Sequence, residues 1–308
     1  MYLLKDNIFK CLVLIVFFSI HSDGLAQLFP VSNQYLHNAI AINPAETGND
    51  GALSASLVYW NQWVGFEGAP KTLTAAVHAP FNKDRIGLGL VVISDSYGIA
   101  QSNTIRGNYA FRTQLGRGNL SFGLSVSAQI NSFSVDELYA GEHDDDILYD
   151  YPENSTKPNF GTGIYYASRN YFLGLAVPNL LSNGWESDGS TNTVDTENYS
   201  YYGYGGFQLK LHHHIKFAPS ALLKYYNGRE FQVDITPNLI IMDRIWAGIN
   251  YRSEGMMSGL LRCNVDDQLS LAYSYDFELG ERQKYTGASH ELMLKYVFKY
   301  KSKVMSPR

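Results

Sequence analysis

The sequence predicts an all-β fold, a transmembrane antiparallel up-and-down β-barrel of about fourteen strands. Three observations predict it. Apolar and small polar residues alternate with period two along most of the chain, the alternating stretches are long enough to cross a bilayer, and the connections between them are long at one end and short at the other.

Alternation is clearest at 119–131, where Leu120, Phe122, Leu124, Val126, Ala128 and Ile130 share one face. Asn119, Ser121, Gly123, Ser125, Ser127, Gln129 and Asn131 share the other. The pattern returns at 268–278, with Leu269, Leu271, Tyr273, Tyr275 and Phe277 opposite Ser270, Ser274 and Asp276. It returns again at 291–300, with Leu292, Leu294, Tyr296, Phe298 and Tyr300 opposite Glu291, Lys295 and Lys299. A soluble sandwich also has one dry face, so length and face chemistry must decide. About 11 residues at roughly 3.3 Å each, tilted near 45°, rise about 25 Å, which is the apolar height of an outer-membrane barrel. The apolar faces end in aromatics such as Tyr59, Trp60, Tyr109, Phe111, Tyr225 and Tyr275, as girdles at the two water interfaces require.

Strands are predicted near 52–60, 71–80, 85–94, 101–113, 119–131, 158–168, 170–180, 199–211, 214–226, 230–241, 244–253, 256–264, 267–279 and 288–299. With the N-terminus in the periplasm, the outward connections include the longest, at 61–70, 132–157, 181–198 and 280–288. The inward ones are short turns, among them Arg169-Asn170 and Asp266-Asp267.

Composition agrees. Only 17% of the 308 residues are charged, against about 25% in ordinary soluble domains, while Gly, Tyr and Phe number 27, 23 and 16. The net charge of −5 offers no basic footprint for nucleic acid, which is excluded as a partner. Lys5 and Lys10, the apolar run 11–20 and Gly24-Leu25-Ala26 read as an export signal cleaved before Gln27. That run is roughly half of the about 20 residues a spanning helix needs. With Cys11 in the signal, Cys263 is left alone and no internal disulfide forms. The expected organisation is a signal peptide at 1–26, an N-terminal segment at 27–50 beneath or inside the lumen, a barrel at 51–300 and a tail at 301–308.

Two motifs follow the signal. Residues 34–48 (QYLHNAIAINPAETG) supply Gln34, Tyr35, Asn38, Asn43, Pro44, Ala45 and Gly48, and 62–72 (QWVGFEGAPKT) supply Gln62, Trp63, Gly65, Phe66, Gly68, Ala69, Pro70 and Thr72. On their own chemistry, Asn43-Pro44-Ala45 reads as a turn entering the first strand. The second motif reads as a bent segment whose aromatics either cap the barrel mouth or present a hydrophobic patch to a partner. Together they resemble the PorP/SprF family of type IX secretion system membrane proteins from Bacteroidetes. The resemblance implies an outer-membrane protein of a secretion and gliding apparatus. Such a protein would contact lipid, and either periplasmic secretion-ring proteins or the C-terminal signal of a large secreted surface protein. The candidate contacts are then Asn43, Pro44, Ala45, Gly48, Gln62, Trp63, Gly65, Phe66, Gly68, Ala69 and Pro70.

Other constellations carry less. His212-His213-His214 cannot readily converge on one metal, because neighbours on a strand point to opposite faces. The acidic run at 142–150 lacks the glycine and closing glutamate of an EF-hand and reads as a solvated loop, with weak calcium binding as its alternative. Ser289-His290-Glu291 project alternately and form no nucleophile–base pair by themselves, and no Gly-x-Ser-x-Gly elbow exists. Neither a catalytic site nor a cofactor is expected. A porin or small-solute transporter is the rival reading, since Arg106, Arg112, Lys216, Lys224 and Arg252 are predicted to face inward. They line a pore or else hold an internal plug by pairing with Asp234, Asp276 and Glu278.

Overall fold

A computed structural model describes residues 31–133, 154–181, 200–226, 231–280, 283 and 286–298. The export signal, the acidic run at 142–150, most of the connection at 181–198 and the tail at 301–308 lie outside the described residues.

The first half of the wall consists of β1 (Leu53–Asn61), β2 (Lys71–Phe81), β3 (Ile86–Tyr97), β4 (Ala100–Leu115), β5 (Gly118–Phe133), β6 (Asn154–Ala167) and β7 (Tyr171–Val177). Shorter segments follow: β8 (Ser200–Phe207), β9 (Leu209–His212), β10 (Ile215–Phe217), β11 (Ser220–Tyr226), β12 (Phe231–Thr236) and β13 (Asn238–Ile241). The ring ends with β14 (Ile245–Arg252), β15 (Met256–Asn264), β16 (Leu269–Glu278) and β17 (Ser289–Phe298). These segments make fourteen antiparallel passes, because β8 runs on into β9, β10 into β11 and β12 into β13. The interruptions fall at Gln208, at Ala218 and Pro219, and at Pro237. Proline has no N–H to give a ladder, so the strand is read as broken there. Local bonds carry the chain across: Phe207 N donates to Pro219 O at 3.2 Å and Ala218 N to Asn238 O at 2.8 Å.

Closure follows from β1, which pairs with β2 on one edge and with β17 on the other, from Leu53↔Phe298 to Asn61↔His290. A closed ring leaves no backbone edge facing hydrocarbon, the condition for strands to span a membrane. The predicted faces hold at 124 and 125, but not for Trp60: expected in the outer aromatic girdle beside Tyr59, it is buried on the inner face, because successive residues of a strand point to opposite sides, and it donates to Asp276. Leu124 is 62% exposed on the outer surface and Ser125 is buried at 7% on the inner one. Outward Leu, Val, Ile, Phe and Tyr continue round the wall, from Leu57 and Tyr59 to Leu292 and Leu294.

One connection is shorter than predicted. Residues 95–100 fall between the predicted strands 85–94 and 101–113, yet Asp95 pairs with Ser102 and Tyr97 with Ala100. The turn shrinks to Gly98 and Ile99, with Gly98 at φ +56, a conformation glycine adopts without strain. Alternation ends where strands leave the lipid, but hydrogen bonding does not, so hydropathy underestimates strand length there.

Candidate functional site: the lumen strap and the rim loop

Residues 31–50 form a strap across the interior of the ring, built from two single-turn 3-10 segments, Ala39–Ala41 and Pro44–Glu46. It starts beside Arg252, the last residue of β14, whose Nη2 donates to Val31 O at 3.3 Å. It ends beside the first residue pairs of β3, where Gly48 N donates to His78 Nδ1 at 3.0 Å. The strap therefore descends from the long-connection end to the short-turn end, antiparallel to β1.

Asn33 anchors the upper part. Its Nδ2 donates to Asp276 Oδ1 at 2.7 Å, its backbone N to Glu291 Oε2 at 2.9 Å, and its Oδ1 accepts from Arg252 Nη2 at 3.4 Å. Ser32 Oγ donates to Glu291 as well. Behind this hub, Asp234 is shared by Arg252 at 3.1 Å and Lys224 at 3.4 Å, with all three side chains buried. A buried carboxylate between two cations is stable as a group, and removal of any member strands the rest. The inward cations predicted from sequence thus hold the strap, with two corrections. Among the described residues Asp276 forms no ion pair; it accepts from Asn33 and from Trp60 Nε1 at 3.2 Å. Lys216 pairs with Asp243 in a turn at the barrel end, where the side chains are 32% and 68% exposed, so it neither lines the lumen nor holds the strap. Arg106 and Arg112 hold the strap through its carbonyls: Arg106 Nη1 donates to Ala41 O at 2.7 Å, and Arg112 Nη2 to Thr47 O at 3.2 Å.

The first motif sits in the lower part. Asn43 opens the second 3-10 turn, its Oδ1 accepting from Ala45 N at 2.9 Å, with Pro44 in the first helical position where a missing N–H costs nothing. Its Nδ2 reaches the wall carbonyls of Ile164 at 3.2 Å and Leu175 at 3.3 Å, and Tyr204 Oη at 3.0 Å. Tyr204 in turn donates to Glu46. The wall is cut to fit: a Cβ at Gly123 would land on Ala45 N, and one at Gly87 on Thr47 O. Around the motif, Tyr35, Ile42, Ala45, Tyr165, Phe172, Tyr202, Tyr204 and Leu222 form a buried apolar cluster. This differs from the hydrophilic interior expected from the Ser- and Asn-rich inner faces. The inner face of β7 and β8 is aromatic because it packs against a polypeptide and not against water. Below the motif, Asp50 accepts from Lys295 at 2.7 Å and lies 3.3 Å from His78. Burial would raise its pKa, but Lys295 and His78 overcome that and hold the carboxyl well below the usual range.

The second motif is placed differently. Gln62 is buried, but Val64 and Phe66 are exposed at 45% and 61% on the long-connection rim. The loop is nonetheless held: Trp63 N donates to Ser289 Oγ at 3.0 Å, Val64 N to Ala288 O at 2.9 Å, Gln62 N to Pro70 O at 2.9 Å, and Gly98 N to Gly68 O at 2.8 Å. Trp63 adopts φ +45, which a bulky residue takes up only under constraint from its surroundings. Gly65 and Gly68 supply the remaining positive φ values, 96 and 71, and Ala69 and Pro70 close the loop half-buried. Of the candidate contacts, Asn43, Pro44, Ala45 and Gly48 thus line the lumen, while Gln62, Trp63, Gly65, Phe66, Gly68, Ala69 and Pro70 build the rim. The two motifs do not form one site. Ser289, His290 and Glu291 point as expected, with His290 hydrogen-bonded to outward Tyr273 at 2.7 Å and Glu291 turned to the strap.

Sequence reasoning passed over Asn33, Tyr204 and Glu291. Glu291 alone carried a signal, an acid on the inward face of a strand otherwise closed by lysines.

A family model described as type IX secretion system membrane protein PorP/SprF matches residues 24–296. The chain belongs to the PorP/SprF family. As a PorP/SprF protein with a closed, lipid-belted barrel, it is an outer-membrane protein of type IX secretion. No individually curated protein matches it in sequence. Among solved structures, the chain is similar to Omp33 of Acinetobacter baumannii, at 8% identity and TM-score 0.48, over 80% of this chain and 99% of that one. It is also similar to a deltaS2 mutant of the TodX monoaromatic hydrocarbon channel, at 11% identity and TM-score 0.47, over 85% and 94%. Outer membrane phospholipase A from Escherichia coli matches at 10% identity and TM-score 0.40, over 87% and 98%.

Proposed function

We propose that this PorP/SprF protein is a partner-binding component of the secretion and gliding apparatus whose rim loop, 62–70, receives the C-terminal signal of a secreted surface protein. The observation that carries the reading is the contrast in exposure within one loop: its backbone is fixed by neighbouring connections, while Phe66 and Val64 project unburied. A rigid backbone presenting apolar side chains loses little conformational entropy on binding, which is what a docking loop needs. The loop lies at the long-connection end, the cell exterior when the N-terminus starts in the periplasm. In this reading 1–26 is removed on export, 27–50 plugs the barrel of 51–300, and 301–308 is a tail.

Copurification from cells tests it. Wild type should retain a large secreted surface protein, and Phe66→Ser should lose it while still assembling in the membrane. Recovery of periplasmic ring proteins instead would move the contact to the short-turn end. The porin alternative is tested in planar bilayers. A strap locked by Asn33, Arg106 and Arg112 should leave little conductance, and steady large currents would overturn the plugged reading.

A further inference from the structure

A second feature of the lumen is independent of the rim loop. Between strap and wall lies a cavity of about 20 Å³, lined by Gln34 and His37 of the strap and by Thr236, Asn238, Trp246 and Arg262 of the wall. Space of this size holds one or two water-sized particles, since one water needs roughly 10–15 Å³ on the same measure.

The charge around it is unbalanced. Among the described residues the ion pairs are His78–Asp50, Lys216–Asp243, Lys224–Asp234, Arg252–Asp234 and Lys295–Asp50, and none includes Arg262. The nearby acid, Asp50, is already engaged by Lys295 at 2.7 Å. Arg262 spends its Nη1 on His37 Nδ1 at 2.5 Å and its Nη2 on Ser270 Oγ at 3.4 Å, and its guanidinium stacks 4.6 Å from the Trp246 ring centre. A ring nitrogen that accepts from arginine is unprotonated, so His37 brings no compensating or competing charge on that side. Of the other inward arginines, Arg252 has Asp234, whereas Arg106 and Arg112 donate to strap carbonyls and Arg106 Nε is also left without an acceptor.

Two buried donors of the cavity lining remain unspent, Arg262 Nε and Gln34 Nε2. Gln34 is only 3% exposed. Neither donor has a protein acceptor, and a buried donor left unpaired costs about 1–3 kcal/mol. Polar side chains of the cavity lining are engaged with other groups: Thr236 Oγ1 donates to Asn250 Oδ1 at 2.8 Å and Asn238 Nδ2 to Thr236 O at 3.4 Å. Two free donors, one of them cationic, in a space too small for an oxyanion define the ligand class.

We propose that this cavity is a binding site for a monatomic halide, chloride in the cell, which bridges Arg262 of the wall to Gln34 of the strap. The halide supplies a counter-ion to Arg262 and ties the strap to the wall immediately below the Asn33 hub, where Gln34 N also donates to Glu291 Oε1 at 3.2 Å.

Crystals of the full mature protein in detergent, grown with bromide replacing chloride, test the site directly. A single lumenal anomalous peak within hydrogen-bonding reach of Arg262 Nε and Gln34 Nε2 is expected. No peak there, with scattering of an ordered water only, overturns the proposal. Thermal unfolding at fixed ionic strength provides the second measurement. Exchange of gluconate for chloride should raise Tm saturably, by about 2–4 °C at concentrations well above Kd. Arg262→Gln should abolish the increment. If that variant does not fold, Gln34→Met keeps the test alive, because it preserves side-chain length and the backbone bonds of residue 34. A chloride increment in Gln34→Met equal to that of wild type sinks the idea.

Discussion

The two motifs on which the sequence resembles the family stand 14 residues apart, from Gly48 to Gln62, and obey opposite physics. The first, at 34–48, is buried between strap and wall, and its residues are fixed by what they must fit: Gly123 and Gly87 leave no room for a side chain beneath Ala45 and Thr47. The second, at 62–70, is fixed only in its backbone, and Phe66 and Val64 touch little of the protein that carries them. The first motif is thus placed by packing and the second by presentation. Substitutions on the lumen side should therefore change stability, and substitutions at the rim should change binding.

The largest effect should come from the cluster behind the Asn33 hub. Asp234→Ala leaves Lys224 and Arg252 buried without their shared carboxylate and should cost about 3–5 kcal/mol, read from urea unfolding in lipid vesicles. An unchanged midpoint would mean that the upper strap is not held electrostatically. Next, Leu124→Arg should cost roughly 2–4 kcal/mol near the middle of the bilayer, and Ser125→Ala far less. Leu124 neighbours Gly123, whose inner side carries Ala45, so equal sensitivity at 124 and 125 would deny that lipid and strap occupy opposite faces of one strand.

Within the first motif, Asn43→Ala removes both the turn cap and the donor to Ile164 O, Leu175 O and Tyr204 Oη. A loss of about 1–3 kcal/mol is expected, together with greater protease access to the strap. Asp50 adds a pH dependence whose sign is fixed by its depressed pKa. Its ionised form is favoured in the folded state, so its contribution is complete above the unfolded carboxylate pKa of about 4 and is lost as pH falls through the lower folded value. Asp50→Asn should remove that acid-side slope while leaving unfolding above pH 5 with a constant offset; a slope that persists in the variant would assign it to another group.

Much of the wall was legible because lipid imposes one periodicity on every strand. Leu124 and Ser125 were placed on opposite faces by alternation alone, and the closing partners β1 and β17 followed from an even strand count. What alternation could not show was the lumen. Asn33 meets Glu291 and Asp276 across more than 240 positions of sequence, and no local pattern encodes such a meeting. Lys216 was misplaced for the complementary reason: period two correctly put it on the inner face, but not how near the barrel end it stands, where Asp243 reaches it from a turn. The inner-face aromatics of β7 and β8, Phe172, Tyr202 and Tyr204, carried no sequence signal of their role, because the strap they enclose is remote in the chain.

The smallest stability effect should be the most informative about function. Phe66→Ser removes a side chain 61% exposed and leaves the bonds of Trp63, Val64 and Gln62 intact, so unfolding should shift by less than about 0.5 kcal/mol. Binding should respond much more, since an aromatic anchor buried in a partner's pocket commonly accounts for about 2 kcal/mol or more of an interface. A double substitution with Asn43→Ala sharpens the point. If lumen and rim act separately, the stability loss of the double variant equals that of Asn43→Ala, and the binding loss equals that of Phe66→Ser. Coupling between the two would mean that the strap sets the shape of the rim, and the division between packing and presentation would fail.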